Sequence, residues 1–437
     1  MISFPAFLAS ARAELPGATF ARWASIFFSL SVLTFLLSLT AAQAFLALAA
    51  VCYAIHLLRA RPAIHFPPVK LPLALFSLGT VLSIFWAANP AVGWFAVRKL
   101  VLFLILLLGV NLVASRKHLE FLYGGLFVES ALAGLVAIGQ FVSQYRQVRA
   151  LHPDRVYVSL TSERISGFLG HWMNFGGQQM LIFAALLAFL LLRPGIGGSG
   201  FGTRKGNSTP RPKPTIWWLL LVVIATSIVL NFTRGVWLGC FVASIYLVGR
   251  WKPHWLWALP VLLLASYVAA PSLVRQRIAI LRHPSRDPAL SIRFEMWQVA
   301  WRMIQEHPLL GVGPNNIEQV YTLYLPPGRS PEPGYHAHLH NNFFQFGAER
   351  GLAVLAAWVW FMGALGWHFW RMCRRLARGR WIAEAALAGW LAVLAEGCFE
   401  FNFGTSPVLM LFLFIVCTPF VVEGISGSAE KPGEVES

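Results

Sequence analysis

Twelve long apolar segments alternate with polar ones along most of the chain. They lie at about residues 23–39, 43–58, 70–86, 99–114, 119–143, 178–192, 216–231, 236–249, 255–270, 346–370, 382–398 and 407–422. Each is a continuous apolar run, unlike the weak alternation of barrel strands. A helix of about 20 apolar residues can cross a bilayer, and lipid-embedded backbone is satisfied only in helices and closed barrels. The pattern therefore predicts an all-α, polytopic membrane protein with about twelve transmembrane helices.

The one long polar insertion divides the chain into four predicted parts. These are transmembrane helices 1–9 in residues 1–270, a large loop in 271–345, helices 10–12 in 346–422 and a polar tail in 423–437. Residues 291–304 have helical spacing, so the loop is predicted to be largely helical. Residues 40–44 weakly resemble a signal-peptide cleavage site. The length of the first apolar segment favours a retained transmembrane hairpin, with a cleaved signal as the alternative.

Composition and charge agree with a membrane protein. The chain is 57% hydrophobic and 12% charged, has 18 Trp and a mean hydropathy of +0.62, an integral-membrane profile. Its net charge of +17 resides mostly between apolar segments, which indicates topology signals and argues against nucleic-acid binding. With the N-terminus inside, inner connections carry 17 Lys and Arg against 7 in the outer short connections. Both termini are therefore predicted to be cytoplasmic, with residues 271–345 on the outer side.

Three histidines mark the stretch from Gly334 to Gly351, which runs directly into an apolar helix. His336, His338 and His340 alternate with small or apolar residues. An imidazole with a pKa near ~6.5 can accept or release a proton at ambient pH. The stretch is therefore a candidate for proton-transfer chemistry at a membrane boundary.

Arginines on the same predicted side are candidates for binding an anion. Arg234 lies between two apolar segments with no room for a loop, and a charge there is costly; a functional role is favoured over contact with lipid headgroups. Arg293 shares a helical face with Trp297 and could hold a phosphate beside an aromatic ring, although an interfacial amphipathic helix explains that pattern more simply. Arg164 and His171 precede another apolar segment, where a plain turn-rich loop is equally consistent.

Nothing in the sequence indicates a metal site or other cofactor. The outer loops contain no Asp-x-Asp motif or acidic cluster, and the five cysteines form no close pair. The alternating histidines have weak zinc-ligand spacing. If the protein binds a diphosphate, arginines must supply the counter-charge. No metal and no cofactor are expected.

Three motifs resemble the bacterial O-antigen ligase and polymerase superfamily. Its His-[Asn/Ser/Gln]-x9-Gly pattern is matched by His340-Asn341 followed, after nine residues, by Gly351. Its Ser/Thr-Arg-Gly-x-Trp-Leu motif resembles residues 233–239, Thr-Arg-Gly-Val-Trp-Leu-Gly. Its third motif, Arg-x3-Trp followed by His-Pro-x-x-Gly-x-Gly, resembles Arg293 and Trp297 together with residues 307–316, His-Pro-Leu-Leu-Gly-Val-Gly-Pro-Asn-Asn. The resemblance covers about residues 160–400. It departs at Val354, where ligases usually have Gly, Thr or Tyr.

The resemblance implies a GT-C-like architecture in the bacterial inner membrane with its active site on the periplasmic side. Members transfer a glycan from undecaprenyl diphosphate without metal, in lipopolysaccharide biosynthesis. Carried over by motif, Arg234 and Arg293 would bind the diphosphate and His340 would act as the base or position the acceptor. His338 and Asn341 would orient His340 or contact sugar. The remaining candidate substrate-binding residues are Arg164, His171 and Trp297.

Three functions compete on this basis. The first is an O-antigen ligase with lipid A–core as acceptor, in contact with membrane lipids and with no nucleic-acid partner. The second is an O-antigen or exopolysaccharide polymerase, which uses a second carrier-linked repeat as acceptor. The third is a transporter, which is disfavoured because the polar groups gather on one predicted face and the sequence shows no repeat.

Overall fold

The computed structural model describes residues 19–193, 214–280, 288–331, 336–376 and 379–429. Every regular element in those ranges is helical. The α-helices are α1 Thr19–Val32, α2 Leu39–Ala60, α3 Lys70–Ile84, α4 Pro90–Leu100, α5 Leu104–Leu112, α6 Arg116–Leu151, α7 Val156–Ser162, α8 Trp172–Leu192, α9 Pro214–Leu230, α10 Arg234–Trp251, α11 Leu259–Ala269, α12 Ser272–Ala279, α13 Pro288–Glu306, α14 Ile317–Val320, α15 Asn342–Arg375, α16 Arg380–Gly397 and α17 Ser406–Ala429.

Six stretches within the described ranges are long and apolar enough to cross a membrane. They are Leu39–Ala60, Pro90–Leu112, Arg116–Leu151, Trp172–Leu192, Asn342–Arg375 and Ser406–Ser426. This agrees with the predicted all-α, polytopic membrane protein. Each of the twelve predicted apolar segments overlaps a helix, but some are short, such as α3 with 15 residues. The count of twelve crossings and the outer position of residues 271–345 stay predictions.

The predicted boundaries shift at the end of the chain and within the insertion. α17 continues to Ala429, beyond the predicted end of the last span at residue 422, and the rest of the predicted tail lies outside the described residues. Gly334, the start of the histidine-rich stretch, also lies outside them. The described part of the insertion contains α12, α13 and α14; a single large loop at residues 271–345 stays a prediction.

The centre of the molecule is built on α8, α16 and α17. α16 packs against α8, α10, α15 and α17, and its small residues allow close approach. On α10, the small residues Gly235 and Gly239 lie against Glu396 and Ala392 of α16. A side chain at Gly239 would meet the Ala392 carbonyl oxygen at 3.0 Å. This packing sets the start of α10 beside the end of α16.

α15 is kinked at Gly351, within the helix that the sequence predicts as continuous. Gly351 has φ 82° and ψ 170°, a conformation that is essentially restricted to glycine. A Cβ there would overlap the Leu309 carbonyl group. The final glycine of the His-x9-Gly pattern is therefore required by backbone geometry and by the close approach of a second segment.

That second segment, residues 308–316, docks on the kink. Three backbone hydrogen bonds join them: Leu352 N to Pro308 O at 2.8 Å, Val312 N to Ala348 O at 2.8 Å and Gly313 N to Glu349 O at 2.9 Å. Because the kink interrupts the regular helical bonding, these partners satisfy backbone groups that would otherwise be buried without one. The docking also fixes α13, which ends just before the segment, against α15.

Candidate functional site

A cavity of about 290 Å³ lies where several helix ends meet. Its wall comes from the loop before α8, the starts of α8 and α10, from α12 and α13, from the residue preceding the N-cap of α15 and from the loop after α16. The charged and titratable lining residues are Arg164, Arg234, Arg277, Arg293, His340 and Glu400. The apolar lining includes Trp172, Leu238, Leu290 and Phe399. Four guanidinium groups and one carboxylate give the cavity a positive balance.

The three residues predicted to be catalytic all line this cavity, although they are far apart in sequence. Arg234 is the first residue of α10, Arg293 lies on α13, and His340 precedes the N-cap residue of α15. Arg164, predicted to bind substrate, lines the same wall. The structure thus brings these four residues together, while their chemical roles stay predictions.

The start of α10 places Arg234 in the cavity wall. The N-cap residue Thr233 makes no side-chain bond to the first-turn amides; its hydroxyl bonds the Asn231 side chain instead. Asn231 donates its amide to the carbonyls of Ile165 and Trp172, at 3.0 and 3.2 Å. This amide therefore ties the loop before α8 to the start of α10. The positive end of the α10 dipole lies at the same place and favours an anion.

Arg164 is oriented by an aromatic ring and a carbonyl group. Its guanidinium carbon lies 4.0 Å from the centre of the Trp172 ring, and its Nε donates to the Thr161 carbonyl at 2.8 Å. His171 stacks on the same tryptophan, with ring centres 5.4 Å apart. His171 caps α8, since its Nδ1 accepts from the Met173 amide at 3.3 Å, and it does not line the cavity. Its predicted contact with substrate is therefore not visible in this geometry.

Glu400 connects two of the predicted catalytic residues, and sequence analysis did not single it out. One carboxylate oxygen bonds His340 Nδ1, and the other lies 3.2 Å from Arg293 Nη2. Burial opposes ionisation of this carboxyl group, but the contacts with His340 and Arg293 outweigh it and lower the pKa of Glu400 to about 2. Glu400 is therefore ionised at neutral pH. The signal for it in the sequence was an acid just beyond the end of an apolar segment.

Arg277 is the second charged lining residue that the sequence analysis does not single out. Its side chain is buried, and Nε donates to the Phe232 carbonyl at 3.3 Å. Phe232 has φ 55°, a left-handed conformation that is uncommon for a bulky residue. In the sequence, Arg277 is one of several arginines in the insertion, and nothing in its local pattern sets it apart.

The other two histidines of the stretch, His338 and His336, differ in their distance from His340 and Glu400. The His338 ring centre is 4.4 Å from that of His340, and its Nε2 is 3.9 Å from Glu400. Burial, reinforced by neighbouring His340, lowers the pKa of His338 to about 4, so this imidazole is neutral at neutral pH. His336 lies farther along, 3.9 Å from Glu318.

Two residues predicted to bind substrate have structural contacts instead of lining the cavity. Asn341 caps α15, since its side-chain oxygen accepts from the Phe343 and Phe344 amides, and its NH₂ donates to the Cys398 carbonyl at 2.8 Å. Trp297 packs in an aromatic cluster, with ring centres 5.8 Å from Phe344 and 6.0 Å from Phe399. Both therefore stabilise the walls around the cavity.

His338, His340 and Glu400 form the one group of three potential metal ligands in the described ranges. Their ligand atoms all lie within 4.8 Å of one another. The charge balance does not favour a cation, because Arg293 already pairs with Glu400 and Arg164, Arg234 and Arg277 line the same cavity. A divalent ion would have to displace that ion pair against the field of these arginines. The arrangement suits an anion better.

Comparison with known families gives one match. Residues 219–359 match the family model described as O-antigen ligase. No curated protein matches the chain. The matched region contains Arg234, Arg293 and His340, whereas Arg164 and Glu400 lie outside it. The match confirms the resemblance to the O-antigen ligase and polymerase superfamily and supports an enzyme of ligase or polymerase type that acts in O-antigen processing.

Proposed function

We propose that this protein, which carries an O-antigen ligase family region at residues 219–359, is an O-antigen ligase. It transfers a glycan from undecaprenyl diphosphate to a hydroxyl of lipid A–core, with inversion and without a metal, at the periplasmic face of the bacterial inner membrane. One observation carries this proposal: a single cavity at helix ends holds four arginines beside a histidine.

The arginines suit the diphosphate of the donor. Guanidinium groups make forked, charge-assisted hydrogen bonds to phosphate oxygens, and the N-terminus of α10 adds its partial positive charge. Arg164, Arg234 and Arg277 line the same cavity as the Arg293–Glu400 pair. As the bond between sugar and phosphate breaks, negative charge grows on the diphosphate. Fixed donors stabilise that growing charge without reorganisation, which lowers the barrier.

His340 is the proposed general base. The acceptor hydroxyl passes its proton to the imidazole while its oxygen forms a bond to the anomeric carbon of the donor glycan. The bond from that carbon to the diphosphate oxygen breaks, and its electron pair leaves with undecaprenyl diphosphate. Attack from the face opposite the leaving group inverts the anomeric centre. A positioned base of this kind contributes about 10²–10⁴-fold to the rate.

The apolar wall suits the lipid portion of the substrates. Leu238 and Phe399 line the cavity and are also 36% and 38% exposed on the surface of the protein. An isoprenoid chain could therefore leave the cavity across these side chains toward the bilayer, where its burial is favourable. The Trp172 ring, which Arg164 and His171 contact, adds apolar surface to the same wall.

Purified protein supplied with undecaprenyl-diphosphate-linked glycan and lipid A–core tests the proposal. Product formation should be seen by gel shift without added metal, and His340→Ala should lower kcat at least about 100-fold because the base is lost. His254→Ala, at an exposed histidine away from the cavity, is the matched control and should retain wild-type activity. Full activity of His340→Ala would refute the base assignment.

The choice of acceptor separates the ligase from the polymerase. If the protein joins carrier-linked repeats to one another but leaves lipid A–core unmodified, the polymerase alternative is correct. Deletion of the gene in its host gives the same distinction from lipopolysaccharide. Loss of the ladder with carrier-linked polymer remaining identifies a ligase, whereas core carrying a single repeat identifies a polymerase. Movement of intact lipid-linked glycan across the membrane, without product, would identify a transporter.

A further inference from the structure

We infer that Glu400 is a positioning residue for glycan transfer: its carboxylate fixes the His340 imidazole and the Arg293 guanidinium relative to each other. This inference rests on the proposed function. It assigns no contact with substrate to Glu400 and holds that the residue acts through its two neighbours.

The contacts use both carboxylate oxygens. Oε1 bonds His340 Nδ1, and Oε2 pairs with Arg293 Nη2 at 3.2 Å. The Glu400 side chain is only 4% exposed, and those of His340 and Arg293 are 10% and 21% exposed. Arg293 is held a second time from the same loop, since its Nε donates to the Phe399 carbonyl at 3.0 Å. One loop therefore holds both the proposed base and a proposed diphosphate ligand.

The ionised carboxylate also selects the histidine tautomer. A carboxylate can only accept hydrogen bonds, so Nδ1 of His340 must carry the hydrogen that it donates to Glu400. In the neutral imidazole, the lone pair is then on Nε2, the nitrogen that would receive the acceptor's proton. An orienting acid of this kind sets both the ring angle and the tautomer of a catalytic histidine. Without it, the imidazole would divide its population between tautomers.

Three consecutive residues before and at the start of α15 bond the loop after α16. His340 bonds Glu400, Asn341 donates to the Cys398 carbonyl at 2.8 Å, and Asn342 donates to the Asn402 side chain at 2.7 Å. His340 itself has φ 46°, a left-handed conformation that costs a non-glycine residue free energy and persists only where surrounding contacts impose it. The neighbouring contacts at 341 and 342 are of a purely structural kind. Of these three contacts, only the one between His340 and Glu400 joins two titratable residues that both line the cavity.

A double-mutant cycle in purified protein tests this role. Glu400→Gln removes the negative charge with little change in shape, and kcat should fall about 10²-fold or more, because the base loses its orienting partner. The KM for the donor should change less than kcat, because Arg164, Arg234 and Arg277 still line the cavity. In the His340→Ala background, Glu400→Gln should cause little further loss, because residues that act as one unit are non-additive.

Two results would overturn the inference: wild-type kcat in Glu400→Gln, or losses that multiply in the double variant. Glu318→Gln, the same change at a carboxylate that is 63% exposed, is the matched control and should retain wild-type activity. If Glu400→Gln does not accumulate in the membrane, Glu400→Asp replaces it in the same cycle. That variant retains the charge but is too short to hold both partners, and the same two outcomes decide. Absence of transfer by the wild-type protein would instead reject the proposed function.

Discussion

Replacement of Gly351 by alanine should destabilise the protein far more than an ordinary glycine-to-alanine change in a helix. Gly351 has φ 82° and ψ 170°, outside the region that alanine adopts readily. Its missing side chain also makes room for the Leu309 carbonyl group. Alanine must therefore either strain the backbone or push residues 308–316 away from α15.

The loss in the free energy of unfolding caused by Gly351→Ala can be estimated from these contacts. Holding a non-glycine residue in this conformation costs about 1–3 kcal/mol, and loss of the three docking hydrogen bonds costs about 1 kcal/mol each. The sum, roughly 4–6 kcal/mol, is a large fraction of the about 5–15 kcal/mol that stabilises a typical protein. For a chain of this length, typical unfolding entropies convert it to a melting temperature lower by roughly 4–7 °C.

Thermal unfolding of the purified protein in detergent measures this effect. The matched control is Gly363→Ala in the same helix, where an added Cβ meets nothing within 4 Å. Because alanine is intrinsically the better helix former by about 1 kcal/mol, Gly363→Ala should melt at or slightly above the wild-type temperature. If Gly351→Ala and Gly363→Ala melt together, the kink and its docked segment do not contribute the stability assigned to them.

Three further predictions concern the cavity. Arg293→Lys should lower kcat/KM at least about 10-fold, since one ammonium cannot reproduce the forked donors that reach Phe399 and Glu400; wild-type kinetics would exclude a specific guanidinium role. Chelator should leave transfer unchanged, because Arg293 already neutralises Glu400 in the one described group of potential ligands; inhibition that zinc reverses would show that a metal is used. The contacts with His340 and Arg293 lower the pKa of Glu400 to about 2, whereas an unfolded glutamate has a pKa of about 4.3. The ionised carboxylate therefore stabilises the folded state fully at a pH above about 4.3. This stabilisation should disappear as pH falls from about 5 toward 2, and the melting temperature of Glu400→Gln should fall less over that range than that of the wild type.

Long apolar runs were sufficient to predict the helices, because burial in lipid requires both the composition and the continuous backbone bonding. The cost of an isolated charge between two apolar segments likewise marks Arg234 as a functional candidate from the sequence alone. Positions within the insertion were harder to interpret. Arg293 and Arg277 both lie there among other arginines, and only packing shows that the two reach one cavity.

The local sequence shows Glu400 only as an acid just beyond an apolar segment, and its pairing depends on a residue 60 positions earlier. Its neighbours in sequence are aromatic, and it belongs to no acidic cluster that would attract attention. Asn341 shows the opposite situation. The sequence resemblance suggested sugar contact or orientation of His340, but an asparagine directly before a helix is also a preferred N-cap, and the cap is the contact that the structure contains.

The motif glycines and asparagines assemble the site more than they line it. α13 carries Arg293 and leads directly into residues 308–316, which dock on α15, and α15 begins two residues after His340. Asn316 extends this docking to the turn before α4, since its side chain bonds both the amide and the carbonyl of Asn89, at 2.7 and 3.2 Å. The distance from Arg293 to His340 is thus set from two directions, by the docked segment and by Glu400. A displacement of about 1 Å between reacting groups can cost about 100-fold in rate. A variant such as Gly351→Ala should therefore lower kcat as well as stability, although no atom of Gly351 reaches the cavity.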